Sequence, residues 1–227
     1  MISRMPALQA VNLSMRYTGR HVLRSVNFAL APGETVALTG ENGAGKTTLL
    51  RCLAWRTRPH TGDVYWHGEP AAHNGPGRAM VGLAAHETGL YPYLTARENL
   101  LFAARMHGLD QPSAKAAHWL SAAHMSACAG QPAASLSKGM RQRLGLARAL
   151  IHEPTILLLD EPFAGLDARS AAWLTDLLLN YRRQGRALCF STHDLSVAHA
   201  LGDRLIRLDR GCLQELPAHG ARPSRAA

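Results

Sequence analysis

The chain has 227 residues, enough for one large domain with a full core, and its 47% hydrophobic and 18% charged content excludes a disordered protein. Its net charge of +9 is carried almost wholly by arginine, with Lys46, Lys115 and Lys138 the only lysines; that bias is discounted as a nucleic-acid signal, so no nucleic-acid partner is expected, while an anionic membrane surface or an acidic partner would suit it. Cys52, Cys128, Cys189 and Cys212 lack metal-ligand or disulfide spacing, and neither a signal-peptide core at the N-terminus nor an apolar window of about 20 residues is present, so work at a membrane would require another chain.

Residues 8–38 read as short strands, with Val22, Val26 and Phe28 as β-formers and a turn at Ala31-Pro32-Gly33-Glu34. Residues 35–39 read as a buried strand, and residues 47–54 as the helix that follows a glycine-rich loop. A turn at Pro59-His60-Thr61-Gly62 precedes a strand at 63–66, and 73–78 is a polar loop. The pattern turns helical over 95–125, where Thr95 and Glu98 are spaced as a capping box. Ser137 opens a further helical run to residue 152, closed by Pro154. Residues 155–160 form a continuous apolar strand of the kind buried on both faces of a parallel sheet. A helix at 168–184, a strand at 187–191, a helix at 195–201 and a last strand at 204–208 follow, and the tail from Pro217 is expected to be disordered. This alternation predicts an α/β fold with a mostly parallel sheet, interrupted by a helical block over about 88–150.

The chemistry begins at Gly40-Glu41-Asn42-Gly43-Ala44-Gly45-Lys46-Thr47-Thr48, which matches the phosphate-loop pattern in full. Glycines let several backbone N–H groups turn toward one anion, and the following helix adds its positive end. Lys46 is placed to reach the β- and γ-phosphates, and the Thr47 hydroxyl to ligate Mg²⁺. So loose a pattern recurs by chance; its setting between an apolar strand and a helix is what gives it weight. The second element is Ile156-Leu157-Leu158-Leu159-Asp160-Glu161, a buried strand that delivers Asp160 toward Mg²⁺ and Glu161 toward an attacking water.

The third element, Leu136-Ser137-Lys138-Gly139-Met140-Arg141-Gln142, resembles the Leu-Ser-Gly-Gly-Gln signature of ATP-binding-cassette (ABC) ATPases, and the resemblance extends from about residue 8 to 211. It implies a P-loop NTPase with a RecA-like core, N-terminal antiparallel strands and a helical insert. A single ABC ATPase domain would cover 1–216, with the core at about 1–87 and 151–216 and the insert at about 88–150. It further implies that Tyr17 stacks on adenine, that His193 is the switch histidine contacting the γ-phosphate, and that Asp167 belongs to a loop crossing a dimer interface. Leu90-Tyr91-Pro92 with Glu98-Asn99-Leu100 matches the segment that faces the membrane partner. The signature donors Ser137 and Gly139 would meet ATP bound on a second chain, so a head-to-tail dimer, homomeric or with another ABC subunit, is expected.

Four positions depart from the family pattern. His86 stands where a glutamine usually touches Mg²⁺ and the attacking water, Lys138 and Met140 replace Gly and Gln of the signature, and Ala164 replaces a frequent Ser. The resemblance implies a peripheral ATPase on the cytoplasmic face of the inner membrane, bound to a membrane-spanning permease. Its compactness is closest to exporter subunits, with a lean toward the haem exporter ATPase of cytochrome c maturation. A drug, lipid or polysaccharide exporter is the alternative, and a soluble ABC ATPase of repair or translation a more distant one.

Overall fold

The computed structural model describes residues 5–72, 75–85 and 89–217. Two sheets form the frame. The first is antiparallel, with β1 (Leu8–Tyr17), β2 (Arg20–Leu30), β4 (Thr61–Trp66) and β5 (Glu69–Pro70) in the order β2-β1-β4-β5. The second comprises β3 (Thr35–Thr39), β6 (Val81–Ala84), β7 (Ile156–Leu159), β8 (Ala187–Ser191), β9 (Arg204–Asp209) and β10 (Cys212–Leu216). Its order is β10-β9-β3-β8-β7-β6, parallel except for the β9–β10 hairpin. The described residues also form six α-helices: α1 (Lys46–Leu53), α2 (Ala96–Met106), α3 (Pro112–Ala122), α4 (Lys138–Leu150), α5 (Ala168–Arg183) and α6 (Leu195–Leu201).

The parallel sheet is covered on both faces, which explains why every residue of β3, β7 and β8 is buried. Alternation sorts their side chains. Val36, Leu38, Ile156, Leu158 and Cys189 pack toward α1 and the antiparallel sheet, with Leu13, Leu49 and Trp66. Ala37, Leu157, Leu159, Leu188 and Phe190 pack with Leu146, Leu174 and Leu178 on the other face. A third core, built from Leu100, Ala116, Leu120, Met125 and Leu144, lies within the helical block. Helix α4 serves two of these cores. Leu144, Ala147 and Ile151 point into the helical core, while Leu146, Ala149 and Leu150 point at the sheet. The 3.6-residue period places those two sets on different faces of one helix.

Local chemistry sets the helix starts. The Thr95 side chain accepts from the Glu98 N–H, and the Glu98 carboxylate accepts from the Thr95 N–H, completing the capping box. Ser137, Asp167 and Asp194 cap α4, α5 and α6 in the same way. Several elements differ from their sequence reading. β1 and β2 are long strands, not short ones; bulges at Asn12 and Ser25, both with positive φ, break their apolar alternation. β4 begins at Thr61, inside the expected turn. Gly62 there has φ +87°, and a Cβ would lie 2.5 Å from the Asn12 and Val11 carbonyl oxygens, so a turn residue type marks a close strand crossing. β6 and β10 were not anticipated, since four apolar residues and an exposed hairpin strand carry little periodic signal. The positions at 73, 74 and 218–227, including most of the expected tail, lie outside the described residues.

Candidate active site

The site forms where three neighbouring parallel strands end. β3, β8 and β7 are adjacent, so their carboxyl ends bring together the loop after Thr39, the Ser191 hydroxyl and the Asp160–Glu161 pair. The loop of residues 40–45 turns into α1 through Gly45, which has φ +106°. A Cβ on Gly45 would come within 2.8 Å of the Val22 side chain, so only glycine holds the loop against β2.

Lys46 is buried, and its ammonium donates to the carbonyls of Gly40 at 2.7 Å and Glu41 at 3.1 Å. It also lies 3.8 Å from Glu161 Oε1. The Thr47 hydroxyl donates to Asp160 Oδ2 at 2.6 Å, across 113 positions of sequence. The other Asp160 oxygen accepts from Ser191 Oγ at 2.7 Å, and that hydroxyl accepts from the Glu161 N–H at 2.8 Å. Ser191 thus ties the two acidic residues to the end of β8. Glu161 has φ +49°, a left-handed conformation that costs a non-glycine residue of order 1 kcal/mol or more. The Ser191 bond and a 2.6 Å bond from Gln142 Nε2 to the Pro162 carbonyl hold the chain there. That geometry aims the Glu161 carboxylate between Lys46 and His193, whose Nδ1 is 3.0 Å from Glu161 Oε2.

These groups border an open cavity of about 500 Å³. Asn42, Gly43 and Gly45 of the loop, Lys46, Thr47 and Thr48 of α1, and Asp160 and Glu161 after β7 all line it, as expected from the motifs. Val22 and Arg51 line it too and were not anticipated; Val22 is a β2 residue whose position depends on the sheet-to-loop contact. The sequence places Ser191 only at the end of a strand, although a small polar residue ending a fully buried strand is itself a signal. Ala44 supports the loop by donating its N–H to the Glu41 carbonyl.

Other expected positions stand apart from the cavity. Tyr17 ends β1 opposite Arg20, is 45% exposed and does not line the cavity. Ser137 and Gly139, at the start of α4, do not border it within the same chain, nor does Asp167. The Lys138 ammonium lies about 3.1 Å from where a Cβ on Gly165 would be, so the start of α4 touches the loop that runs to Asp167. Hydrogen bonds from Ser170 hold the Asp167 carboxyl below the usual range as it caps α5. His86 lies outside the described residues.

The donor set fits a magnesium nucleotide. Mg²⁺ prefers oxygen ligands and takes one or two from protein, with phosphates and water supplying the rest; the Thr47 hydroxyl and the Asp160 carboxylate converge as such a pair. Among the described residues no group of three or more His, Cys, Asp or Glu could hold a metal by itself. The buried Lys46 charge, the loop N–H groups and the α1 N-terminus supply what polyphosphate requires.

Known proteins agree with this geometry. The ABC transporter family model matches residues 23–164, more than half of the chain. The SkfA peptide export ATP-binding protein SkfE of Bacillus subtilis is 36% identical over 217 residues, covering 93% of this chain and 89% of that protein. The cytochrome c biogenesis ATP-binding export protein CcmA 2 of Cupriavidus metallidurans is 39% identical over 188 residues, covering 82% of this chain and 89% of that protein. Among solved structures, the ATP-binding cassette MJ0796, in a dimeric post-hydrolysis state bound to ADP and Pi, superposes with a TM-score of 0.85 at 26% identity, covering 94% of this chain and 99% of that one. Phosphate loop, acidic pair and sheet order thus meet in one assignment: the chain belongs to the ABC transporter family and is its ATPase subunit, binding and hydrolysing ATP with Mg²⁺.

Proposed function

We propose that this subunit powers export of a substrate through a separate membrane-spanning permease, working peripherally on the cytoplasmic face of the inner membrane. The observation that carries the catalytic part is the pairing of Thr47 with Asp160 beside a Glu161 held between Lys46 and His193. In this reading Lys46 binds the β- and γ-phosphates, and Thr47 and Asp160 hold Mg²⁺, which supplies positive charge to the phosphoryl oxygens when bound. Glu161 orients water and accepts its proton, while His193, bonded to Glu161, sits at the γ-phosphate end. Gly40, Glu41, Asn42, Gly43, Ala44, Gly45 and Thr48 cradle the phosphates and Tyr17 stacks on the base.

Ser137, Gly139 and Asp167 lie away from this chain's own cavity, which supports a two-fold dimer in which they complete a partner's site. Either a homodimer or an ABC heterodimer satisfies that geometry. The separate helical core supports a single ABC domain over 1–216 with an insert at about 88–150. Among the described residues no helix is long and apolar enough to cross a membrane, in keeping with a separate permease. Export is supported by two similar proteins that carry it in their names, and the CcmA 2 relative favours haem export in cytochrome c biogenesis over the wider exporter reading.

Glu161→Gln tests the chemistry. It lowers turnover by a factor of about 10²–10⁴ and leaves an ATP-bound dimer that gel filtration resolves. Turnover at the wild-type rate would refute the assignment of Glu161. Co-purification with a membrane protein from solubilised membranes tests the partnership, and recovery with ribosomes or DNA instead would reject it.

A further inference from the structure

Glu161 is held from two sides. On its strand side, its N–H donates to the Ser191 hydroxyl at 2.8 Å. On its other side the chain enters a tight turn, in which the Ala164 N–H donates to the Glu161 carbonyl at 3.1 Å and Pro162 takes the second place. Such a turn uses its first carbonyl and leaves the second to find a donor elsewhere. Here that second carbonyl, of Pro162, accepts from Gln142 Nε2 at 2.6 Å, and the Glu161 carbonyl lies 3.4 Å from the same nitrogen. Pro162 is buried, where a backbone carbonyl needs a donor from the protein itself.

Gln142 comes from a different part of the molecule. It lies in the second turn of α4, five residues after the Ser137 cap. Leu144 and Ala147 fasten α4 into the helical core, while Leu146 and Ala149 fasten it against the sheet, so its backbone is fixed on two faces. The Gln142 amide shares a cavity of about 20 Å³ with Gly145, Asp160 and Pro162, which leaves it little room to turn away.

The conformation of Glu161 gives this bond its weight. A φ of +49° is one that a glutamate leaves unless its neighbours hold it there. In that conformation its carboxylate lies 3.8 Å from Lys46 Nζ and 3.0 Å from His193 Nδ1. Without Gln142 the turn is free to rotate, Glu161 relaxes toward an ordinary φ, and the carboxylate swings out of the gap. The phosphate loop, Lys46 and Thr47 are held by bonds of their own. Loss of Gln142 therefore disturbs the acidic residue and spares the nucleotide cradle.

We infer that Gln142 is a positioning residue for hydrolysis: from the helical block it holds the turn after Glu161 and so keeps the Glu161 carboxylate in place. This rests on the reading of Glu161 given above as the group that orients the attacking water. The test is a double-mutant cycle on the whole chain, with ATPase followed against ATP concentration and in single turnover. Gln142→Met keeps the length of the side chain and removes its donor. It lowers kcat about five- to twentyfold and leaves KM for ATP within about twofold of the wild type. In the Glu161→Gln background the same change alters the residual rate by less than about twofold, because the carboxylate it would displace is already gone. An unchanged kcat in Gln142→Met, an equal fall in both backgrounds, or a rise in KM with kcat retained would overturn the inference. Should Gln142→Met not fold, Gln142→Leu takes its place under the same outcomes. Wild-type turnover in Glu161→Gln alone refutes the reading of Glu161, whereas slow turnover there beside wild-type turnover in Gln142→Met refutes only the role of Gln142.

Discussion

The carboxyl edge of the parallel sheet and the seam beside the helical block are both rich in charge, yet they are built on opposite rules. At the sheet edge every charge has an answer. Lys46 faces Glu161, Glu161 faces His193, and Asp160 is held by Thr47 and Ser191. At the seam beside the helical block, burial and then Arg56 lower the basicity of Arg78 and Arg148, and among the described residues no ion pair joins them to a carboxylate. A self-complementary cluster can be assembled and kept in register by one chain. The difference separates a cluster whose groups bond to one another from one shaped mainly by burial.

The contrast breaks most easily at Glu161. Glu161→Gln removes the carboxylate proposed as proton acceptor while leaving the fold intact, and steady-state ATPase is expected to fall by a factor of about 10²–10⁴. Ser191→Ala comes next. It strips one hydrogen bond from Asp160 and leaves the Glu161 N–H without its acceptor, so turnover drops about tenfold and chemical denaturation shows a loss of about 1–3 kcal/mol.

The seam has a titration signature of its own. His152 is pushed from 6.5 to about 4 when folded, so the unfolded chain binds a proton that the folded chain refuses. Its contribution is complete above about pH 6.5 and is lost as pH falls toward 4, with a slope of at most about 1.4 kcal/mol per pH unit. His152→Gln flattens the dependence of Tm on pH within that window, and an unchanged slope would show that His152 is not held neutral. The smallest effect is expected at the helical block's start. Thr95→Ala removes the capping box and lowers Tm by about 2–4 °C without altering ATPase.

Legibility followed the same division. The phosphate loop, Asp160 and Glu161 were readable because each lies in a short contiguous run whose residue types serve one chemistry. The strand Ala187–Ser191 and the helix Leu195–Leu201 were read to the residue, since full burial and a capping Asp194 mark them locally. Val22 was not readable as a cavity residue: an alternating strand residue reaches the loop only because β2 packs over Gly45. Nor was the seam, whose five members come from positions 56, 78, 107, 148 and 152 and share no motif.

By itself, then, the sequence determined the family, the fold class and the order of most elements, because a phosphate-loop pattern, strand burial and helix capping are all written in neighbouring residues. Only the tertiary structure decided that Thr47 and Asp160 share a hydrogen bond, that Ser191 links the acidic pair, and that α4 divides its faces between two cores. Those outcomes depend on which strands lie side by side and how helices cross them. Contacts across a hundred positions are set by the burial of whole faces, which no local run of residues records.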